Sequence, residues 1–331
     1  MYTEQVRNWR ARGARNITSL LILLIAAGTS HGQPRNHKLV FHTFKSQVPP
    51  GGLRLAGGII VLPQDWATIL VASGYDLFDA QGKPSPASCT GTFIGPGLIV
   101  TAAHCFDYGS NDFNLAASIQ FGGLPEMALQ CRVSKEYAES VNANVQKVPP
   151  RVPEDYALCS FQVPLSPPAE LDHLRYEVVD TGTVLGSGTS VLLTGYGCGA
   201  FHMDSDGGLT LDKKDNHLRI GNALISTPAA GVNPLEILSE ATQPALCPGD
   251  SGAPMMSNVT AQHPTGQRRV AGVNSTFGTR QVTDGHYVVV STIAALSSPS
   301  FTTLAKGWLC DNPGGVVCGI NVAARAPPCA N

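Results

Sequence analysis

Three short stretches carry side chains that could act together. One is Pro248-Gly249-Asp250-Ser251-Gly252-Ala253-Pro254. Glycines on both sides of an Asp-Ser pair predict a tight, exposed turn, because glycine takes backbone conformations that other residues resist and lets another chain approach closely. In such a turn the N–H groups of Gly249 and Ser251 can point at one spot and hold the negative oxygen of a tetrahedral intermediate. The alternative reading of the stretch taken alone is an ordinary Gly-rich turn. A free serine hydroxyl is a poor nucleophile and needs a base. Histidine suits that work because its pKa lies near neutral pH. Of nine histidines, His104 stands out in Thr101-Ala102-Ala103-His104-Cys105, directly after the apolar run Leu98–Val100 and among small residues that leave room beside the ring. The base needs a buried carboxylate to fix its tautomer and stabilise the imidazolium. Asp155 opens Asp155-Tyr156-Ala157-Leu158 at the start of an apolar strand; by itself, a surface turn acid would look the same.

The elements that must position these groups are short strands. Gly (35) and Pro (24) are abundant in the 331 residues, which suits strands joined by turns better than a helical bundle. With 43% apolar and 14% charged residues, the chain can bury a core and is not disordered. The first set of predicted strands is Ala67–Ala72, Cys89–Ile94, Leu98–Ala102, Ser118–Phe121, Leu129–Val133 and Tyr156–Val163. After a break at Pro164, Pro167 and Pro168 come Thr183–Leu185, Ser190–Thr194, His217–Leu224, Ala253–Met256, Arg269–Asn274 and Tyr287–Thr292. This number of short strands suggests paired barrels or sandwiches. Residues Pro299–Leu309 predict one terminal helix capped by Ser298 or Ser300, and residues 310–331 a loop-rich tail with three Cys.

The first 32 residues carry Arg7, Arg10, Arg12 and Arg15 against one acid, Glu4, followed by the apolar run Leu20–Ala27 and small residues at Ser30-His31-Gly32. This predicts a secretory signal over residues 1–32; a buried core helix is the alternative. The run is short for a bilayer span. Without it, basic residues number 22 − 4 = 18 and acidic residues 24 − 1 = 23, leaving no basic patch for nucleic acid. The expected location is extracellular, or periplasmic in a Gram-negative cell. Nine Cys in an exported chain predict disulfides, with at least one thiol left over. The absence of CxxC and HExxH argues against a metal, and no cofactor is implied.

Together, Thr-Ala-Ala-His-Cys, Asp-Tyr-Ala-Leu and Gly-Asp-Ser-Gly-Ala-Pro resemble the His, Asp and Ser motifs of chymotrypsin- or trypsin-like serine peptidases. The order matches, and the separations, 155 − 104 = 51 and 251 − 155 = 96, are near those usual in the family. The resemblance implies an all-β fold: two six-stranded Greek-key β-barrels (55–165 and 166–309) with the active site between them, plus a C-terminal helix. It also implies a disulfide between Cys89 and Cys105. Gly195-Tyr196-Gly197 resembles a turn early in the family's second barrel. Ser275 resembles the strand residue that lines the substrate cleft and hydrogen-bonds near the Asp, so that substrate main chain would pair with residues 275–277.

Arg54-Leu55-Ala56-Gly57-Gly58 looks like a degenerate zymogen junction, which makes 33–54 a loose pro-segment; a flexible linker is the alternative. By resemblance, a cut after Arg54 frees the Leu55 amine to pair with Asp250, and the uncut form leaves that region disordered. Two departures stand out. Ala253 replaces a usual Gly, and Cys247 lacks its usual partner, with Cys198 as the substitute. Cys131–Cys159 and one pair within the tail complete the expected bridges. The base of the specificity pocket falls at Ala245, which offers no counter-charge to Lys or Arg. Asn274 stands where a glutamyl-specific enzyme would carry His, and Phe277 favours small or medium apolar side chains. An activating cut at Arg54 would then need another protease. The implied function is that of a secreted serine endopeptidase acting on protein or peptide substrates through an acyl-enzyme. The alternative is an inert binding homologue on the same fold. A serine esterase of another fold fits poorly, since it would show Gly-x-Ser-x-Gly and the order Ser, Asp, His.

Overall fold

The structure, a computed structural model, describes residues 39–43, 58–78, 84–106, 115–121, 124–143, 153–161, 173–211, 217–226, 234–240, 243–264 and 266–330. All belong to one compact unit, His37–Asn331. The expected signal (1–32), Arg54 and Leu55 lie outside the described residues.

The first half contains β1 (Leu39–His42), β2 (Ile59–Ile60), β3 (Ile69–Phe78), β4 (Pro84–Gly95), β5 (Leu98–Thr101), β6 (Ala116–Gln120), β7 (Met127–Val133) and β8 (Ala157–Phe161), with helix α1 (Lys135–Ala143) between the last two. The strands close into a barrel in the order β1-β3-β4-β5-β8-β7-β6. Apolar side chains fill it: Leu39, Phe41, Phe93, Ile99 and Ile119 are all fully buried. The second half contains β9 (Val178–Val179), β10 (Ser190–Gly195), β11 (Phe201–Met203), β12 (Leu209–Leu211), β13 (Arg219–Leu224), β14 (Leu235–Ser239), β15 (Pro254–Ser257), β16 (Arg269–Gln281) and β17 (Tyr287–Ala295), then helix α2 (Pro299–Asp311). Its sheet runs β14-β17-β16-β15-β10-β13-β2, with β9 beside β16 and β11–β12 as a separate hairpin. Just past β13, Ser226 N–H donates to Glu236 O on β14 (2.7 Å). The six strands from β13 round to β14 therefore curl into a ring about Val191, Leu193, Ile237, Met255 and Ile293.

The two-barrel fold and terminal helix are as expected, but the first barrel has seven strands rather than six. The extra strand, β1, falls within the segment read as a loose pro-segment. It inserts between β3 and β6 because Leu39 and Phe41 supply two inward apolar side chains at strand spacing. The predicted strand Thr183–Leu185 is a loop. There the N–H groups of Gly182 and Thr183 both donate to Asp180 Oδ1 (3.2 and 3.0 Å), an Asx-type turn that competes with a ladder. Ser298 caps α2, accepting from Ser300 N–H.

Four disulfides join Cys89–Cys105, Cys131–Cys159, Cys198–Cys247 and Cys318–Cys329. Cys310 is free and exposed. The tail docks across both halves: Cys318 N–H donates to Ile94 O, and its carbonyl accepts from Val179 N–H. Among the described residues no helix is long and apolar enough to cross a membrane.

Candidate active site

The first barrel brings His104 and Asp155 together. β5 ends in a single turn of 3-10 helix, Ala103–Phe106, and the Cys89–Cys105 bridge ties that turn back to β4. β5 pairs with β8, joining Thr101 to Ala157, which sets Asp155 directly beside the turn. His104 donates its backbone N–H to Asp155 Oδ1 (2.8 Å), and its Nδ1 lies 2.6 Å from Oδ2. Ser275 Oγ, from the second barrel, donates to the same Oδ2 (2.5 Å).

Burial pushes the Asp155 carboxyl upward. The His104 charge, together with hydrogen bonds from the His104 ring, Ser275 and the His104 backbone, outweighs it, and the net value lies below the usual carboxylate range. Asp155 is therefore ionised at neutral pH and can only accept hydrogen bonds. Nδ1 must carry the proton, which leaves Nε2 of the neutral ring as a base. The His104 side chain is 25% exposed against 3% for Asp155, so the ring remains reachable while its partner is sealed.

Ser251 sits in the turn ahead of β15. Gly252 has φ +85°, and a Cβ there would lie 2.1 Å from Thr90 O and 2.2 Å from Thr101 Oγ1. Only glycine fits. Ala253, the departure from the family pattern, is not among the residues with positive φ, so its methyl is accommodated, fully buried. Thr90 on β4 clamps the turn from the first barrel: its N–H donates to Ser251 O (2.7 Å) and its Oγ1 to Gly249 O (2.8 Å). Gly252 N–H donates to Asn274 O on β16 (2.8 Å). Ser251 Oγ donates to Ser275 O (3.3 Å), which brings the serine to the residue that also holds Asp155.

Asp250 is buried and accepts from Gly197 N–H (2.7 Å) and Cys247 N–H (2.9 Å). This accounts for Gly195-Tyr196-Gly197. A Cβ at Gly195 or Gly197 would fall 2.0 or 2.6 Å from the Asp250 carboxylate. Ala245 is fully buried. Next to it, Leu246 N–H donates to Ser291 Oγ on β17 (3.0 Å), and Ser291 faces Phe277 across the β16–β17 ladder. Phe277 packs on the cluster containing Leu246 and Ile293. Asn274 is buried and donates through Nδ2 to Thr194 O (2.8 Å).

The sequence reading missed Thr90, whose importance comes from a contact 159 positions away. It also missed an ion pair of the second half, between the buried Glu177 and the partly exposed Arg268, that reaches the first barrel. Arg268 grips Glu177 through Nε and Nη2 (2.9 and 2.6 Å) and lies over Trp66 (4.1 Å to the ring centroid). Thr68 Oγ1 donates to the same carboxylate (2.6 Å). His104 and the sulphurs of Cys89 and Cys105 lie within 4.8 Å of one another, but the sulphurs are joined in a disulfide and offer no thiolate for a metal.

A hydrogen-bonded His–Asp pair on one β-barrel, facing a serine turn on a second, defines the double-barrel serine peptidase class. The Trypsin family model matches residues 77–296, more than half of the chain, and the protein belongs to that family. No curated protein matches the chain. Among solved structures it is similar to a Glu endopeptidase in complex with MPD (16% identity, TM-score 0.45, 78% of this chain and 100% of that one). It is also similar to human heparin binding protein (15%, 0.42, 78% and 98%) and to a scabies mite inactivated protease paralogue (18%, 0.44, 77% and 100%).

Proposed function

We propose that the protein is a secreted serine endopeptidase, made as a zymogen, with Ser251 as nucleophile, His104 as general acid and base, and Asp155 as its orienter. The observation that carries this reading is the bond set on Asp155, which holds the His104 ring in the tautomer a base requires. Ser251 Oγ attacks the peptide carbonyl carbon as its proton passes to His104 Nε2. The N–H groups of Gly249 and Ser251 receive the developing oxyanion. Collapse breaks the C–N bond, His104 returns the proton to the leaving amine, and water then hydrolyses the acyl-enzyme by the same steps.

Ala245, an apolar residue at the expected base of the pocket, supports small or medium apolar P1 residues over Lys or Arg, because burying an unpaired ammonium is costly. Asn274, whose amide is engaged by Thr194 O, supplies no cation for a glutamyl side chain. Cleavage after Arg54 by another protease would free Leu55 to reach Asp250. A second reading, an inert homologue, draws on Ser251 Oγ bonding to Ser275 O; attack requires the hydroxyl to turn to Nε2.

Fluorophosphonate labelling separates the two readings. After a cut at Arg54, the wild type should become labelled and hydrolyse peptides with small apolar P1 residues, whereas Ser251→Ala should do neither while keeping its thermal midpoint. A cut, folded wild type that takes no label refutes the catalytic reading.

A further inference from the structure

We propose that Leu39–His42 is a permanent strand of the first barrel, retained without a covalent link when the chain is cut between β1 and β2. The flanks of any such cut are anchored in different barrels. β1 lies in the first, whereas β2 pairs with β13 of the second, Ile59 with Ile220 and Ile60 with Arg219.

β1 fills the seam between β3 and β6. Val40, Phe41 and His42 pair antiparallel with Ser73, Ala72 and Val71, while Leu39–His42 pair in parallel with Ala117–Gln120. A parallel neighbour in a barrel otherwise built from antiparallel pairs marks β1 as a strand added from outside the hairpin order. Leu39 and Phe41 are fully buried. β4 is shaped around the added ring: a Cβ at Gly91 would sit 2.6 Å from Phe41 Cε1 and 2.8 Å from Ile99 Cγ2. No residue larger than glycine fits there while Phe41 is present.

Loss of β1 would bare the ladder edges of β3 and β6 and empty a phenyl-sized space in the barrel that carries His104 and Asp155. Residues 1–58 contain no cysteine, so this stretch offers no thiol for a disulfide tether. It is held as an added strand, by ladder hydrogen bonds and two buried side chains. The segment between the signal and the cut therefore stays with the body after maturation and is not shed.

The test does not require an active site, so its failure is distinct from failure of the catalytic reading. The full chain carrying Gly51→Ile, Gly52→Glu and Leu53→Gly ahead of Arg54 presents a factor Xa site. It is cut to completion, as judged on a denaturing gel, and run by size exclusion with and without concentrated urea. Both fragments should elute in one native peak and separate only in urea. Two native peaks, with the larger fragment keeping the thermal midpoint of the uncut chain, overturn the proposal. Independently, Phe41→Ala in the uncut wild-type chain should lower the midpoint by about 10 °C, and an unchanged midpoint also overturns it.

Discussion

Ser275→Ala removes one hydroxyl, and its consequences follow from the bonds on Asp155. Oδ2 accepts from Ser275 Oγ at 2.5 Å and from His104 Nδ1 at 2.6 Å, and Oδ1 accepts from His104 N–H at 2.8 Å. The variant leaves a buried carboxylate with two of these three donors. A hydrogen bond to a charged group contributes about 1.5–3 kcal/mol, so the loss at neutral pH should be of that size. Its pH dependence has a definite sign. The folded-state pKa of Asp155 is depressed relative to an unfolded value of about 3.9. Stability from this group is therefore complete above about pH 4 and is lost as pH falls through the folded value. The share owed to Ser275 follows the same window, because a protonated Asp155 no longer rewards a charged acceptor's bond. Urea unfolding of both proteins should show the full deficit at pH 7 and a shrinking one below about pH 4. If His104 is also less firmly oriented, kcat falls by about tenfold or more at nearly constant KM. Equal stability at pH 7, or a deficit that does not shrink in acid, refutes the reasoning.

Thr90→Val keeps the shape of the side chain but strips the donor from Gly249 O. Either the buried carbonyl goes unpaired, lowering stability by about 1–3 kcal/mol, or the turn shifts to find a partner and kcat drops by about ten- to a hundredfold. Thr90→Ser should restore both, and a Val variant unchanged in melt and in kcat removes Thr90 from the site. Arg268→Met leaves Glu177 buried with Thr68 as its remaining side-chain donor. Denaturant unfolding should register a loss of about 3–5 kcal/mol, and a loss below about 1 kcal/mol would refute the view that Arg268 is what compensates the buried Glu177.

The candidate site was legible because its chemistry is concentrated in contiguous residues. Gly249-Asp250-Ser251-Gly252 states a turn and a nucleophile together, and the positive φ at Gly252 is the conformation its glycine predicts. Thr90 carries no such local signal, since a threonine beside a cysteine in an apolar strand looks like any strand residue. Its role arises only when β4 meets the serine turn. The same limit hid β1, a four-residue strand in a polar segment with no turn residue at its edge, whose place depends on a gap between β3 and β6. It also misled the reading of Thr183–Leu185. The apolar pair there resembles a strand, yet Val184 is 54% exposed because the Asp180 carboxylate captures the backbone N–H groups of its neighbours. Sequence periodicity reports which face is apolar, not whether another group has taken the ladder's hydrogen bonds.

Neither barrel holds the site alone. His104 and Asp155 come from the first, and Ser251, Gly249 and Ser275 from the second. The bonds that align them, Thr90 to Gly249 and Ser251 and Ser275 to Asp155, are the same bonds that join the barrels there. The Arg268–Glu177 pair joins them again through Thr68 and Trp66. The tail makes a third join, from Ile94 on β4 through Cys318 to Val179 beside β16. A site assembled across an interface is only as well aligned as that interface is stiff, and productive geometry tolerates displacements of well under an ångström. Repeated fastening across the barrels would serve the proposed chemistry for this reason. Loosening at Glu177 or Cys318 would reach His104 and Ser251 through the relative position of the two barrels, without touching either residue.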